Sequence, residues 1–290
     1  MFAVRTVYTM SIMSTPDVFS YLSYRRYLDD WFRARKSLNP RYSHRAFARK
    51  AGQSSPSLLL AVIQGKRNLT AATLEGFQRA LGLRGEEGRF FEALVEFEQA
   101  DGPDARNRAM ERIRATRRFR EARQVEGDAF AYLSTWYLPV LRELAATTGF
   151  TEDPEVLARA VQPAITPAAA REALKTLQAL GLLRRDKDGR LRPSDASVVT
   201  PHEVQGLAVH NYHRGMMERA LDSLGCPPEE RHLCGVTVSI PEAMVPQIKR
   251  ELDAFQERLL ELCDSSEVAR ERVYQVNLQF FPLTRKESRS

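Results

Sequence analysis

The sequence predicts a mainly α protein of three successive units: an N-terminal bundle of short helices, a middle unit of helices closed by a β-hairpin, and a small α+β unit at the end. Three observations carry that expectation. Apolar residues recur at helical spacing through most of the 290 residues, with glycines where short helices should stop. Asp188-Gly189 sits between Leu182-Leu183 and Leu191, the pattern of a tight hairpin turn. Two alternating, β-branched runs, 232–240 and 272–283, flank a long amphipathic stretch.

Residues 1–15 read as a disordered tail or an over-long start, with Met10 or Met13 as later starts, and lack the pattern of a signal peptide. The first folded unit is expected over 16–101. Val18–Leu38 places Phe19, Leu22, Leu28, Trp31 and Phe32 at helical spacing, a core-packing face rather than an aromatic cage. Ser43 caps the next helix, Phe47 and Ala51 share its inner face, and Gly52 ends it. Ser55 caps a helix running to Gln64, with Pro56 at the first position, where a missing N–H costs nothing. Its Leu58, Leu59, Val62 and Ile63 face the core, and Gly65 closes it. Thr70 or Thr73 opens a helix carrying Leu74, Phe77 and Leu81, ended by Gly82, and Glu86–Gln99 completes five helices.

Two short helices joined at a glycine turn set one across the other, so that the start of the second can enter a DNA major groove. The candidate DNA contacts follow. Ser43, His44 and Arg45 lie near the backbone. Gln53, Ser54, Ser55 and Ser57 offer adaptable contacts to bases, and Lys66, Arg67 and Asn68 stand where phosphates pass. The charge distribution agrees: residues 1–126 hold 23 Lys and Arg against 14 Asp and Glu, whereas 127–290 hold 20 against 23.

The stretch from Ser43 to Leu83 resembles the repressor-type helix-turn-helix of phages, most specifically in GKRNLT followed by FQRALGL. One departure is that the interval from Gly52 to Gly65 is a residue longer than usual, which shifts the expected base-reading positions.

Residues 102–126 hold eight arginines between Arg106 and Arg123 with few large apolar residues, and read as a linker or exposed helix. The middle unit spans 127–200. Phe130–Thr148 is a helix bent near Pro139, Asp153 caps Pro154–Val161, and Thr166-Pro167 opens a third helix with Leu174, Leu177 and Leu180 on its apolar face. A hairpin after three helices is winged-helix order. Arg171 at the third helix and Arg184, Arg185, Lys187, Arg190 and Arg192 on the wing are candidates for a second DNA contact. The start of that helix, Ala168-Ala169-Ala170, is poor in donors for base edges, so a structural or dimerisation role stays open. The last unit, 201–290, reads as a helix to Leu224, then strand, long helix and strand. Such a βαβ pair is too small alone and calls for strands from elsewhere in the chain or a second subunit.

Four stretches are similar to a bacterial family that joins a helix-turn-helix, a winged-helix-like middle and a C-terminal domain of unknown function. They are AFARKAGQSSPSLLLAVIQGKRNLT, FAYLSTWYLPVLREL, ITPAAAREALKTLQALGLLRRDKDGRL and RVYQVNLQFFPLT. The resemblance implies a DNA-binding transcriptional regulator, with no catalytic residue or effector attached.

The expected partners are double-stranded DNA, a second copy of the chain, and a small-molecule or protein effector. No apolar run approaches the roughly 20 residues that span a bilayer, and the three cysteines fit reduced thiols in a cytoplasm. Phosphate loops, nucleophile elbows and paired-carboxylate signatures are missing, so no enzyme, cofactor or metal is expected. Two alternatives remain: an interaction adaptor that keeps the fold without binding DNA, and a metal site at His202, His210 and His213 with His232 and Cys234 nearby.

Overall fold

The computed structural model describes residues 16–194, 202–265 and 268–285; the tail or early start expected at 1–15 lies outside them. The protein is mainly helical, with thirteen α-helices and one two-stranded sheet among the described residues. It divides into two compact units. One takes the chain up to Ala131 and a segment ending at His210; the other begins at Tyr132 and resumes at Asn211.

In the first unit, Val18–Ser20 makes one 3₁₀ turn and α1 follows over Tyr24–Leu38. The expected helix from Val18 is thus shortened. Ser23 is extended, and its hydroxyl accepts from the Arg26 N–H, so it supplies the cap six residues late. Phe19 and Leu22 are buried all the same, and Phe19 packs on Phe90 with ring centroids 4.9 Å apart. The helices α2 (His44–Lys50), α3 (Leu58–Ile63), α4 (Ala71–Leu81) and α5 (Gly85–Gln99) follow. Phe47 of α2 meets Phe77 of α4 at 5.0 Å and Trp31 of α1 at 5.8 Å. At Gly76 on α4 an added Cβ would lie 2.2 Å from the Ala51 carbonyl oxygen, so α2 and α4 touch through bare backbone there.

The arginine-rich stretch forms α6 (Pro103–Ala115) and α7 (Arg117–Ala122). Ala109, Met110, Ile113 and Phe119 are buried, with α6 packed along α5. Three of its arginines lie over aromatic rings, Arg106 over Phe97 at 4.9 Å, Arg114 over Phe130 at 5.8 Å and Arg118 over Phe19 at 4.3 Å, while Arg108, Arg112, Arg117 and Arg120 are exposed. Arg112 pairs with Glu96 and, at 3.9 Å, Glu92.

Helix α8 (Gln124–Ser134) contributes residues to each unit, and α9 spans Tyr137–Leu144. The expected single helix bent near Pro139 is instead interrupted at Thr135-Trp136. The break comes before the proline, which therefore sits in the first turn of α9, where its missing N–H is harmless. Asp153 caps α10 (Pro154–Ala160) and Thr166 caps α11 (Pro167–Ala179), each through its side-chain oxygen. Strands β1 (Leu183–Arg185) and β2 (Leu191–Pro193) pair antiparallel, Arg184 opposite Arg192. The turn is wider than the expected Asp188-Gly189 pair. Gly189 N–H donates to the Asp186 carbonyl at 3.0 Å and Asp186 N–H to the Arg190 carbonyl at 2.8 Å, with Gly189 at φ +76°. That is a three-residue loop closed by a glycine bulge.

The last part departs furthest from expectation. After α12 (His202–Asp222), neither 232–240 nor 272–283 is a paired strand; among the described residues that follow, α13 (Val245–Asp264) is the only α-helix, beside single 3₁₀ turns at Ser223–Gly225, Pro228–Glu230 and Glu242–Met244. The βαβ unit is not formed. Within one chain these runs offer two strands at most, below the number that holds an isolated sheet together. The final segment is tied to its unit by single bonds instead. Thr148 N–H donates to the Arg270 carbonyl at 3.0 Å, Asn277 Nδ2 to the Met216 carbonyl at 3.0 Å, and Arg272 pairs with Glu230 at 3.2 Å.

Candidate nucleic-acid interface

Helix α2 starts at Ser43, whose hydroxyl accepts from the Ala46 N–H at 3.3 Å. The next residue, His44, lies stacked on Phe32 with centroids 4.2 Å apart, and Arg45 beside it is exposed. Burial, and secondarily the charge of Lys36, holds the His44 pKa below its usual 6.5. Gly52 at φ +68° reverses the chain after α2. The α-helical part of the next element is only Leu58–Ile63, later than the expected start at Ser55. The Leu58 N–H donates to the Ser55 carbonyl at 3.3 Å, so Ser55–Ser57 forms a tighter i→i+3 entry turn. The hydroxyls of Ser55 and Ser57 lie 3.1 Å apart, and Ser54, Ser55 and Ser57 are all exposed. Gln53 is half-buried, its amide nitrogen 3.5 Å from the Ala51 carbonyl. Leu59 and Val62 are buried, while Leu60 is 41 % exposed on the opposite face.

The loop after α3 is held from behind. Lys66 and Arg67 N–H groups both donate to the Ala61 carbonyl, at 2.9 and 3.2 Å. Arg25 of α1 donates to the carbonyls of Val62 and, at 3.0 Å, Arg67, and to the Asn68 side-chain oxygen at 2.7 Å, while its Nε pairs with Glu98 at 2.9 Å. Gln99 completes the fixing: its carbonyl accepts from the Leu69 N–H at 2.8 Å and from the Tyr24 hydroxyl at 2.7 Å, and its amide donates to the Leu69 carbonyl at 3.0 Å. Asn68 is thereby engaged with the protein. Lys66 and Arg67 are exposed and, among the described residues, carry no ion pair. Arg25 and Gln99 escaped sequence reasoning because the loop atoms they hold, backbone groups and the Asn68 side chain, lie 30 to 43 residues away.

In the second unit the arginines of the hairpin differ among themselves. Arg185 forms a two-pronged pair with Glu152 at 2.8 and 2.9 Å, and Arg192 approaches Asp186 at 3.5 Å. The Asp186 carboxylate accepts from the Arg190 and Asp188 N–H groups, which with Arg192 hold it below the ordinary carboxylate range. Arg171, Arg184, Lys187 and Arg190 are exposed, without ion pairs among the described residues.

The domain of unknown function DUF4423 matches residues 116–283, more than half of the chain. The chain belongs to the DUF4423 family. No curated protein and no solved structure matches it. The DUF4423 segment takes in the hairpin and α9 to α13, and leaves Ser43–Asn68 outside. Within it His213, His232 and Cys234 are exposed; His210 is exposed too, and the His202 side chain lies outside the described residues. Among the described residues no group of three or more His, Cys, Asp or Glu is placed to hold a metal ion. Nor, among them, is any helix long and apolar enough to cross a membrane.

Proposed function

We propose that the protein is a sequence-specific DNA-binding transcriptional regulator, in which α2 and α3 act as a repressor-type helix-turn-helix and α9 to α11 with the hairpin as a winged helix. The observation that carries this reading is the split between the two sides of residues 43–68. The inner side is immobilised by Phe47 on Phe77, by Arg25 and by Gln99. The outer side keeps Ser54, Ser55, Ser57, Lys66 and Arg67 exposed. Serine hydroxyls and two cations on a rigid turn suit base edges and phosphates, respectively. Leu60, apolar and outward on α3, suits a thymine methyl.

The test uses the full chain and genomic sites recovered by mapping its bound DNA. Replacing Lys66→Ala with Arg67→Ala is expected to weaken binding at every site and to flatten the salt dependence by about two counterions. Unchanged affinity and salt slope, or the absence of any saturable site, would overturn the reading and leave an interaction adaptor.

A further inference from the structure

The C-terminal part of the DUF4423 segment is short of cover. No residue of α13 is buried, and fourteen large apolar side chains between Leu233 and Leu283 are at least 37 % exposed. Apolar side chains left in water in such number are what an interface of about 800 Å² per partner would cover. A lone monomer rarely keeps so much in water.

The pattern on α13 says what covers it. Val245, Ile248, Leu252, Phe255, Leu259 and Leu262 follow one another at steps of three and four residues, a seam of period 3.5 rather than the wider stripe of a core helix. Phe255 is 43 % and Leu262 68 % exposed, and the other four are only half-buried. Glu251 and Arg258 flank the seam on the same side, one heptad apart, and neither has an ion-pair partner among the described residues.

We infer that α13 pairs with α13 of a second copy of this chain as an antiparallel two-helix seam. In that arrangement Leu252 meets the Phe255 position, Ile248 the Leu259 position and Val245 the Leu262 position. Glu251 of each copy then lies beside Arg258 of the other, twice over by the two-fold symmetry. A parallel pairing sets Glu251 toward Gln256 and Arg258 toward Cys263 and forms neither ion pair, so the charges select the antiparallel one. The apolar runs 232–240 and 272–283, unpaired as strands among the described residues, flank this seam in sequence.

Sedimentation of the full chain without nucleic acid tests the inference independently of the DNA-binding reading. A dimer is expected for the natural sequence at micromolar concentration, and monomer for Phe255→Glu combined with Leu262→Glu. Glu251→Arg and Arg258→Glu should each weaken the dimer about ten-fold by placing like charges together. The double reversal should recover most of that loss, a rescue that a misfolded variant does not give. A natural sequence that stays monomeric, a dimer that survives Phe255→Glu with Leu262→Glu, or a double reversal no better than the singles would overturn it.

Discussion

Gln99 ends α5 with its amide turned onto the Leu69 backbone, and the cost of losing it is set by what is left behind. Without the side chain the Leu69 N–H has no acceptor and lies next to a buried side chain. Gln99→Ala is therefore expected to cost about 2 kcal/mol, the penalty of an orphaned donor rather than of one average hydrogen bond, and urea denaturation measures it. His44 gives a prediction of a different kind. Its folded pKa lies below 6.5, so the fold favours the neutral ring. Protonation then weakens the folded state as pH falls below 6.5, and above that pH the ring has no effect. Denaturation midpoints of the natural chain should drop faster between pH 7 and 5 than those of His44→Gln. Equal slopes would mean that burial of the ring does not set its charge.

At the scale of elements, two glycines of the first unit do different work. Gly52 needs its positive φ but has open space where a Cβ would go, so Gly52→Ala should cost about 1–2 kcal/mol for the left-handed backbone alone. Gly76 has an ordinary helical backbone but no room, because the Ala51 carbonyl oxygen stands 2.2 Å from an added Cβ. Gly76→Ala should push α2 from α4 and cost about 3 kcal/mol by overpacking. Thermal unfolding of the two variants ranks them. Gly52 is legible in the sequence, since a glycine after a run of helix formers marks a reversal. Gly76 is not, because nothing near it in sequence says that another helix approaches. The same holds more widely. Caps at Ser43, Asp153 and Thr166 and the hairpin at Gly189 were readable from local chemistry. The helix after Gly52 begins at Leu58 rather than just after Ser55, where several serines compete for the cap, and the first helix begins at Tyr24 rather than Val18.

For the whole molecule, a mainly helical architecture follows from periodicity, but the C-terminal expectation failed for a physical reason. Alternation in 232–240 and 272–283 shows which side chains share a face; it does not supply the neighbouring strand. A sheet is a property of its partners, and one chain here lacks enough of them. The DNA-binding candidates near Lys66 were legible as residue types, while their mounting on Arg25 and Gln99 depends on contacts far apart in sequence. If two copies join through α13, DNA carrying paired half-sites should bind far more tightly than a single half-site. Phe255→Glu with Leu262→Glu should erase that difference and leave single half-site affinity intact, which titration against both DNAs would measure.

The clamp that Arg25 and Gln99 place on the loop after α3 also bears on the thermodynamics of recognition. Val62, Arg67, Asn68 and Leu69 are held before any ligand arrives, so the loop has little conformational entropy left to lose on docking. On the proposed DNA-binding reading, calorimetry should then show a heat-capacity change that matches the contact area alone, without the larger signature of a segment that folds as it binds.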